Sequence, residues 1–335
     1  MTSLRSLFAS PGPAVGVEIA ARRLSAALMV RRGGQWVVAA HAVEPLPPGA
    51  ITPSLTGTNF ANRTAVLDAL RGLFDRLGTR PKRIGLVVPD SIAKVSLVRF
   101  DTVPARAQDL EGLIRWQVRR TAPFSIDEAQ VAWTPGAPQA DGGQEFVVSL
   151  ARRSIVAEYE DVCGAVGAHA GIVDLATFNA INAVLAGGRA PAEDWLLVHV
   201  SSDYTSLAIV RGGALIFFRN RVAEGEGDLA DIVHQTAMYY EDRLNGARFA
   251  RVVLSGAALA SQDEAVARGE DPAAAIGTDI EELRRSLQER LSAPVETIDP
   301  RPAAAIADRI AAGPVLLDTL APLVGLILRA QEPAA

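Results

Sequence analysis

Glu18 and His199 are the two titratable residues whose positions most directly suggest chemistry. Each follows an apolar stretch at the same point of two similar segments, 181 residues apart. Arginine binds phosphate as a point charge or as a bidentate fork, so the arginines that follow Glu18 could hold an anion. The simpler interpretation, which we favour, is that they are solvated turn residues. The small, basic or hydroxylated positions concerned are Ala20, Ala21, Arg22, Arg23 and Ser25 after Glu18, and Ser201, Ser202 and Thr205 after His199.

The rest of the chain offers little other chemistry. Its histidines are scattered without metal-ligand spacing and have no cysteine pair beside them, so we expect no structural zinc site. Ser255-Gly256 ends a predicted strand but lacks the G-x-S-x-G context of a hydrolase nucleophile. We therefore assign no catalytic residue and no metal ligand.

The segments around Glu18 and His199 share one meander pattern. Residues 15–30 and 196–210 each read as two apolar strands separated by a short turn, and an Arg-Gly-Gly turn and a third strand follow in both. Consecutive glycines supply the positive φ angles of a tight hairpin. The separation is too long for a solenoid repeat and indicates a duplicated domain. Two hairpins that are alike by coincidence are the alternative.

Helix and strand patterns alternate around these meanders. Residues 62–77 and 228–244 read as amphipathic helices, and residues 83–89 and 251–255 read as buried strands, which favours α/β layers. A different pattern lies between the halves. It consists of strands at 95–100, 129–134 and 145–151 and helices at 105–121 and 154–169, and it predicts a small α+β insertion.

Composition narrows the class of protein. The 335 residues are 49% hydrophobic and 21% charged, which is globular and long enough for two or more subdomains. The net charge is -5, and no basic stripe with interleaved aromatics is present, so we expect no nucleic-acid partner. Cys163 is the only cysteine, which agrees with a reducing compartment. Residues 1–13 read as a flexible terminus without the apolar core of a secretion signal, and we expect a cytoplasmic protein.

Several local motifs, in their order and spacing, carry a family resemblance over most of residues 14–330. They resemble PilM-type proteins of the type IV pilus machine, within the actin-like superfamily that includes FtsA and GspL relatives. The motifs are Val88-Pro89-Asp90, Arg115-Trp116-Gln117, Thr121-Ala122-Pro123-Phe124-Ser125-Ile126-Asp127, Gly171-Ile172-Val173-Asp174-Leu175 leading into Phe178, and Leu320-Ala321-Pro322-Leu323-Val324-Gly325-Leu326-Ile327-Leu328-Arg329.

The resemblance implies an α/β, duplicated actin-like (ribonuclease H-like) fold with an inserted, small α+β, SHS2-like subdomain. Residues 14–92 and 173–190, with the C-terminal helix 315–329, would form the first actin-like subdomain. Residues 93–172 would form the insert, and residues 191–314 the second half. The resemblance also implies a groove for the cytoplasmic N-terminal peptide of the membrane protein PilN and contact with pilus motor ATPases. Such a protein would be cytoplasmic and peripheral at the inner membrane.

The family resemblance further implies a site for ATP and Mg²⁺ between the halves. At this site the sequence departs from the family pattern. The first loop in the family is Asp-x-Gly followed by serines and a basic residue, whereas this chain has Glu18, Ala20 and Ser25 at those positions. In the second loop the aspartate is His199 and the glycine is Ser201. The adenosine-side glycine pair reads Gly256-Ala257. Imidazole is a poor substitute for a carboxylate beside Mg²⁺, and added Cβ atoms crowd a phosphate. We therefore expect a degenerate cleft in which ATP and Mg²⁺ are doubtful ligands.

For the partner we expect an extended peptide bound against the strand at 145–150, with alternate side chains lining a groove. The residues assigned to this site are Trp116, Phe146, Val148 and Leu150. Phe146 and Val148 as ordinary core residues are the alternative. Trp116, on the polar side of its helix, either marks an interaction surface or packs on the first subdomain.

Two other functions compete with pilus assembly. An active actin-like ATPase or small-molecule kinase needs intact phosphate loops, and a phosphotransfer assay discriminates it. An FtsA-like polymerising protein normally carries a C-terminal amphipathic membrane helix, which residues 330–335 do not resemble, and a sedimentation assay tests assembly.

Overall fold

A computed structural model of the chain describes residues 12–138, 142–188, 193–222, 229–308 and 310–331. The predicted flexible terminus at residues 1–13 therefore lies almost wholly outside the described residues. In chain order the strands are β1 (Val15–Ile19), β2 (Arg23–Arg32), β3 (Gln35–Pro45), β4 (Arg83–Val88), β5 (Ala93–Phe100), β6 (Ala129–Pro138), β7 (Gln144–Arg152), β8 (His169–Leu175), β9 (Trp195–Val200), β10 (Tyr204–Arg211), β11 (Ala214–Val222), β12 (Arg251–Ser255), β13 (Val295–Thr297) and β14 (Ala305–Ile306). The helices are α1 (Arg63–Leu77), α2 (Ala107–Arg119), α3 (Arg153–Ala165), α4 (Ala176–Ala186), α5 (Leu229–Arg243), α6 (Ala257–Arg268), α7 (Pro272–Leu291) and α8 (Pro314–Gln331).

Two sheets repeat the meander that the sequence predicts. The six-stranded sheet has the order β14-β3-β2-β1-β4-β8, and the five-stranded sheet has the order β11-β10-β9-β12-β13. In both, an antiparallel meander is followed by parallel strands. All four hairpin glycines have positive φ, namely Gly33, Gly34, Gly212 and Gly213. The prediction of two diglycine hairpins is therefore confirmed.

Helices α4 and α8 fill the space between the two sheets. One face of the six-stranded sheet packs on α1 and α3, and its other face packs on α8. The five-stranded sheet packs on α4 and α8 with one face and on α5 and α7 with the other. At the crossing of α4 and α8, a Cβ on Gly325 would overlap the carbonyl oxygen of Asn179. This position needs glycine because the two helix backbones approach so closely.

Helix α8 is long and apolar enough to cross a membrane by length and composition alone. Its residues 318–327 are nonetheless buried, including Asp318 and Thr319. Its apolar side chains pack on Ala27, Met29 and Val38 of the six-stranded sheet, and Ala321 packs in the core of the five-stranded sheet. In this structure α8 is a core helix of the fold.

Strands β5, β7 and β6, in that order, form a separate three-stranded antiparallel sheet. Helix α2 covers one face of it, with Ile114 and Val118 buried against the strands. The predicted pattern of residues 95–151 is thus confirmed as strands and a helix.

Other boundaries differ from the prediction. Helix α3 ends at Ala165, and β8 begins at His169. The buried side chains of α3, among them Tyr159 and Cys163, belong to the core of the six-stranded sheet. Ala305 and Ile306, assigned to the second half, pair with β3 of the six-stranded sheet. The division into subdomains stays a prediction, but these segments pack on the first half.

Candidate functional site

The turn after β1 and the turn after β9 meet in a cleft between the two large sheets. The space left there is only about 20 Å³. That is room for about one water molecule, whereas ligand pockets usually measure about 300–1,000 Å³. The cleft is lined by Glu18, Ile19, Ala20, Arg23, Pro89, His199, Val200, Ser201, Tyr204, Gly256, Leu259, Asp318 and Pro322.

The turn amides and the carboxylate of this cleft are engaged within their own loops. The amide of Ala20 donates to the carbonyl oxygen of Arg23 at 3.0 Å, and the amide of Ser201 donates to that of Tyr204 at 2.9 Å. The buried hydroxyl of Ser25 donates to Oε2 of Glu18 at 2.8 Å. Ser25 therefore supports the carboxylate from beneath, where the family pattern has a basic residue.

Arg23 crosses the cleft. Its Nη1 lies 3.0 Å from Oδ2 of Asp263 on α6, in an ion pair that joins residues 240 positions apart. Burial raises the pKa of Asp263, and the charges of Arg23 and Arg22 offset part of that rise. Arg22 itself is exposed and Ala21 is buried. The two arginines thus have different positions: Arg22 is a surface residue, and Arg23 is an internal cation.

His199 is buried and neutral at physiological pH. Burial lowers its pKa to about 4, although the charge of Glu18 acts in the opposite direction. Its Nδ1 lies 3.2 Å from the hydroxyl oxygen of Ser255. A neutral ring tied to a serine does not replace the carboxylate that would organise a hydrated Mg²⁺. Within the described residues, no group of three or more His, Cys, Asp or Glu side chains could hold a metal ion.

The start of helix α6, where the family would place the nucleotide, carries a carboxylate that the sequence analysis did not assign to the site. Oδ2 of Asp318 on α8 accepts a hydrogen bond from the amide of Ala258 at 2.8 Å. Helix N-termini attract anions because their amides are unsatisfied and their dipole is positive there. Burial raises the pKa of Asp318 to about 6, opposed by the backbone amides of residues 256, 258 and 259. The signal in the sequence was an aspartate in an otherwise apolar helix.

Gly256 allows the start of α6 to approach the end of β9 closely. It has φ 78°, and a Cβ there would overlap the carbonyl oxygen of Val200. The following residue, Ala257, faces a second space of about 470 Å³ beside the cleft. Ser201, Ser202 and Thr205 line that space as well, together with Glu264 and Asp279 of the second half. Most of the predicted nucleotide residues therefore line either the closed cleft or the open lateral pocket, whereas Ala21, Arg22 and Ser25 line neither.

These residues do not fit a triphosphate with its metal ion. Within the cleft Arg23 is paired with Asp263, Asp318 accepts a hydrogen bond at the start of α6, and Glu18 already accepts one from Ser25. The lateral pocket has a mixed charge, because the carboxylates of Glu264 and Asp279 line it together with Arg221.

Asp90, from the Val88-Pro89-Asp90 motif, is another buried carboxylate that joins the halves. It accepts hydrogen bonds from the hydroxyl of Ser206 on β10 at 2.6 Å and from the amide of Thr177 on α4 at 3.1 Å. Burial raises the pKa of Asp90 in spite of these bonds.

A much larger groove, of about 500 Å³, lies on the face of the three-stranded sheet opposite α2. Cross-strand neighbours Ala132 and Ser149 form its floor. Its walls come from all three parts of the fold and are mostly apolar. They include Val173 of β8, Phe178, Ile181 and Leu185 of α4, and Gly213, Ala214 and Leu215 of the β10–β11 hairpin.

The structure places the three predicted partner residues of β7 in a hydrophobic core. Phe146, Val148 and Leu150 are buried on the face that packs against α2. Their neighbours Val147 and Ser149 line the groove. Side chains alternate along a strand, but apolar residues occur on both faces of β7, so the pattern did not reveal which face is covered. β7 is also the central strand, which leaves β6 as an open edge.

Trp116 lies on the outer side of α2 and is 64% exposed. The groove is on the opposite face of the sheet that α2 covers. Trp116 is therefore assigned to the surface, outside the groove.

Two meander halves with α4 and α8 between them, a closed cleft and a separate apolar groove define a mixed α/β protein of the actin-like fold class. Comparison with known proteins narrows this class. The family described as "Type IV pilus assembly protein PilM" matches residues 16–247. The chain belongs to this PilM family of type IV pilus assembly proteins.

One solved structure agrees with the fold. The chain is similar to the structure titled "PilM-PilN type IV pilus biogenesis complex", with 18% identity, 97% of this chain and 100% of that chain covered, and a TM-score of 0.76. A Bacteroides thetaiotaomicron protein of actin-like ATPase fold and unknown function matches with 10% identity, coverage of 91% and 95%, and a TM-score of 0.48. The cytoplasmic domain of Vibrio cholerae EpsL, an inner-membrane component of type II secretion, matches with 8% identity, coverage of 72% and 80%, and a TM-score of 0.44.

Proposed function

We propose that this protein assembles the type IV pilus by binding the cytoplasmic N-terminal peptide of a PilN-like membrane protein in the groove over Ala132 and Ser149. The observation that carries the proposal is the groove itself, with its volume of about 500 Å³ and its largely apolar walls. A structure that this chain resembles contains PilM together with PilN. Binding of the peptide would hold the protein at the inner membrane as a peripheral component, within reach of the pilus motor ATPases.

The chemistry of the groove indicates the kind of peptide. Val147, Val173, Leu185 and Leu215 offer apolar contacts for branched aliphatic side chains. Open edges face the same groove, because β6 pairs only with β7 and β8 pairs only with β4 among the described strands. An extended segment can add backbone hydrogen bonds along such an edge while its alternate side chains fill the pockets.

The cleft, in this proposal, does not serve catalysis. Three observations support a degenerate nucleotide site: the small cavity, the neutral His199, and Asp318 at the N-terminus of α6. The protein would then act through its partners, and ATP with Mg²⁺ would not be required for peptide binding.

Titration calorimetry with a PilN-like N-terminal peptide tests the proposal. Ala132→Trp places a large ring on the groove floor and should weaken binding at least about tenfold, which corresponds to about 1.4 kcal/mol. Ala107→Trp, on the exposed first turn of α2, is the matched control and should bind like the wild type. The proposal is wrong if the folded wild-type protein shows no binding at high micromolar peptide, or if both variants bind equally well.

A further inference from the structure

Arg23 is the central cation of a carboxylate-rich cleft. Its charge lowers the pKa of Asp203, Asp263 and Asp318, each of which burial raises, and Glu18 lines the same cavity. Within the part of the chain that the structure describes, Nε of Arg23 and Oδ2 of Asp203 are buried without a hydrogen-bond partner. Buried carboxylates need a counter-charge, and here a side chain of the protein provides it.

Arg23 and Asp318 both contact helix α6. Arg23 begins β2 in the six-stranded sheet, and Asp318 lies on α8, which packs against that sheet. Their partners, Asp263 and the amide of Ala258, lie on α6 in the second half. The ion pair and the hydrogen bond therefore join the two halves directly across the cleft.

Both halves contribute residues to the groove. β8 of the six-stranded sheet and the β10–β11 hairpin, Gly213 to Leu215, of the five-stranded sheet line it, and α4 packs in one cluster with the hairpin. The hairpin belongs to the five-stranded sheet, whose strand β12 leads into α6. A change in the angle between the halves must therefore change the width of the groove.

We propose that the Arg23–Asp263 ion pair is an intrachain clamp that keeps the cleft closed without a ligand and so sets the width of the partner groove. Arg23 and Asp263 are positioning residues for the groove. The coupling to peptide binding rests on the proposed function of the groove, whereas the clamp rests only on the contacts across the cleft.

Distances between spin labels on the two halves test the clamp. Labels at Thr64→Cys on α1 and Glu289→Cys on α7 occupy exposed helix positions, and Cys163 is buried and free. The wild type should show one narrow distance that Mg-ATP does not change. Arg23→Gln and Asp263→Asn should each broaden the distribution. The double variant should broaden the distance distribution no more than either single variant does, because all three variants lose the same interaction. Arg290→Gln, which removes a pair between α7 and Asp231 of α5 within the second half, is the matched control.

Peptide titration of the same variants tests the coupling. Both clamp variants should bind the PilN-like peptide about tenfold more weakly, within the usual range of coupling between sites. Arg23→Lys keeps the charge and should restore most of the affinity, which rules out a general loss of folding. Unchanged label distances in both single variants, with the protein folded, would overturn the clamp. Broadened distances with unchanged affinity would overturn the coupling to the groove. Failure of the wild type to bind any peptide would refute the proposed function and leave the distance result to decide the clamp.

Discussion

Asp318 on helix α8 accepts a hydrogen bond from the amide of Ala258, 60 residues earlier in the chain, at a distance of 2.8 Å. The carboxylate is buried, and it lies at the N-terminus of α6, where an unoccupied helix end would attract an external anion. One side chain therefore caps the start of α6, connects it to α8, and puts a carboxylate where the helix end would otherwise attract an anion.

Replacing Asp318 with alanine should destabilise the protein. The variant leaves the buried amide of Ala258 without its acceptor, at a cost of about 1–3 kcal/mol. Asp318→Asn keeps an acceptor oxygen and should cost less. Urea unfolding gives the comparison. Asp271→Ala is the control, because Asp271 caps the start of α7 at an exposed position, where a lost cap costs about 1 kcal/mol. An Asp318→Ala variant as stable as the wild type would show that the cap contributes nothing.

The sequence predicted several of the local elements. Apolar strands and diglycine turns indicated both meanders, and the apolar face of residues 62–77 predicted α1, which the structure shows to be capped by Asn62. It could not show the pairs that close the cleft. Arg23 and Asp263 are both ordinary surface-type residues, and only the packing of two distant segments brings them together.

The sequence also could not show which side chains of β7 lie under α2 and which lie at the groove. Phe146 and Val147 are both buried, one under α2 and one at the groove, so alternation alone did not assign them. A strand with two covered faces reads as a nearly continuous apolar run. The register of the whole sheet was needed to see which side chains face the partner groove.

The pH dependence of stability should contain two opposing contributions from the cleft. His199 has a folded pKa of about 4 instead of 6.5. As the pH falls, His199 is protonated in the unfolded chain before it is protonated in the folded protein. Its contribution to stability is therefore present above pH 6.5 and is lost as the pH falls to 4. Asp318 has a folded pKa of about 6 instead of 3.8, so its contribution is present below 3.8 and is lost as the pH rises through 6.

His199→Asn should therefore flatten the acid loss of stability, and Asp318→Asn should make it steeper. Each effect should reach about 2 kcal/mol between pH 7 and pH 4.5, because one pKa unit corresponds to about 1.4 kcal/mol. Free energies of unfolding in urea at the two pH values measure it. Equal slopes for the wild type and both variants would contradict the buried titrations.

The crossing of α4 and α8 should tolerate no added methyl group. Gly325→Ala would place a Cβ on the carbonyl oxygen of Asn179 and force the helices apart, at a cost of about 3 kcal/mol or more. Gly277→Ala is the matched control on α7, where the Cβ would have open space around it. Helix propensity predicts that this control is stabilised by about 1 kcal/mol. Thermal and urea unfolding of the pair check the prediction, and a Gly325→Ala variant with unchanged stability would refute the close approach.

Restoring nucleotide binding should require more than restoring the family's residues in the two loops. His199→Asp and Ala20→Gly return the carboxylate and open the turn, but Asp318 still occupies the start of α6 and Arg23 still pairs with Asp263. We expect this double variant to show no measurable Mg-ATP binding by calorimetry. Adding Asp318→Ala removes the competing carboxylate, and we expect weak binding to appear only in that triple variant.

The wild-type protein should release phosphate from ATP no faster than buffer. Neutral His199 organises no metal ion, and the space of about 20 Å³ beside Glu18 admits no triphosphate. A steady-state phosphate assay checks this, with Glu18→Ala as the control for a contaminating ATPase. Release well above background that Glu18→Ala abolishes would show that the cleft opens and is catalytic. Activity that Glu18→Ala leaves unchanged would belong to a contaminant, and the closed cleft would stand.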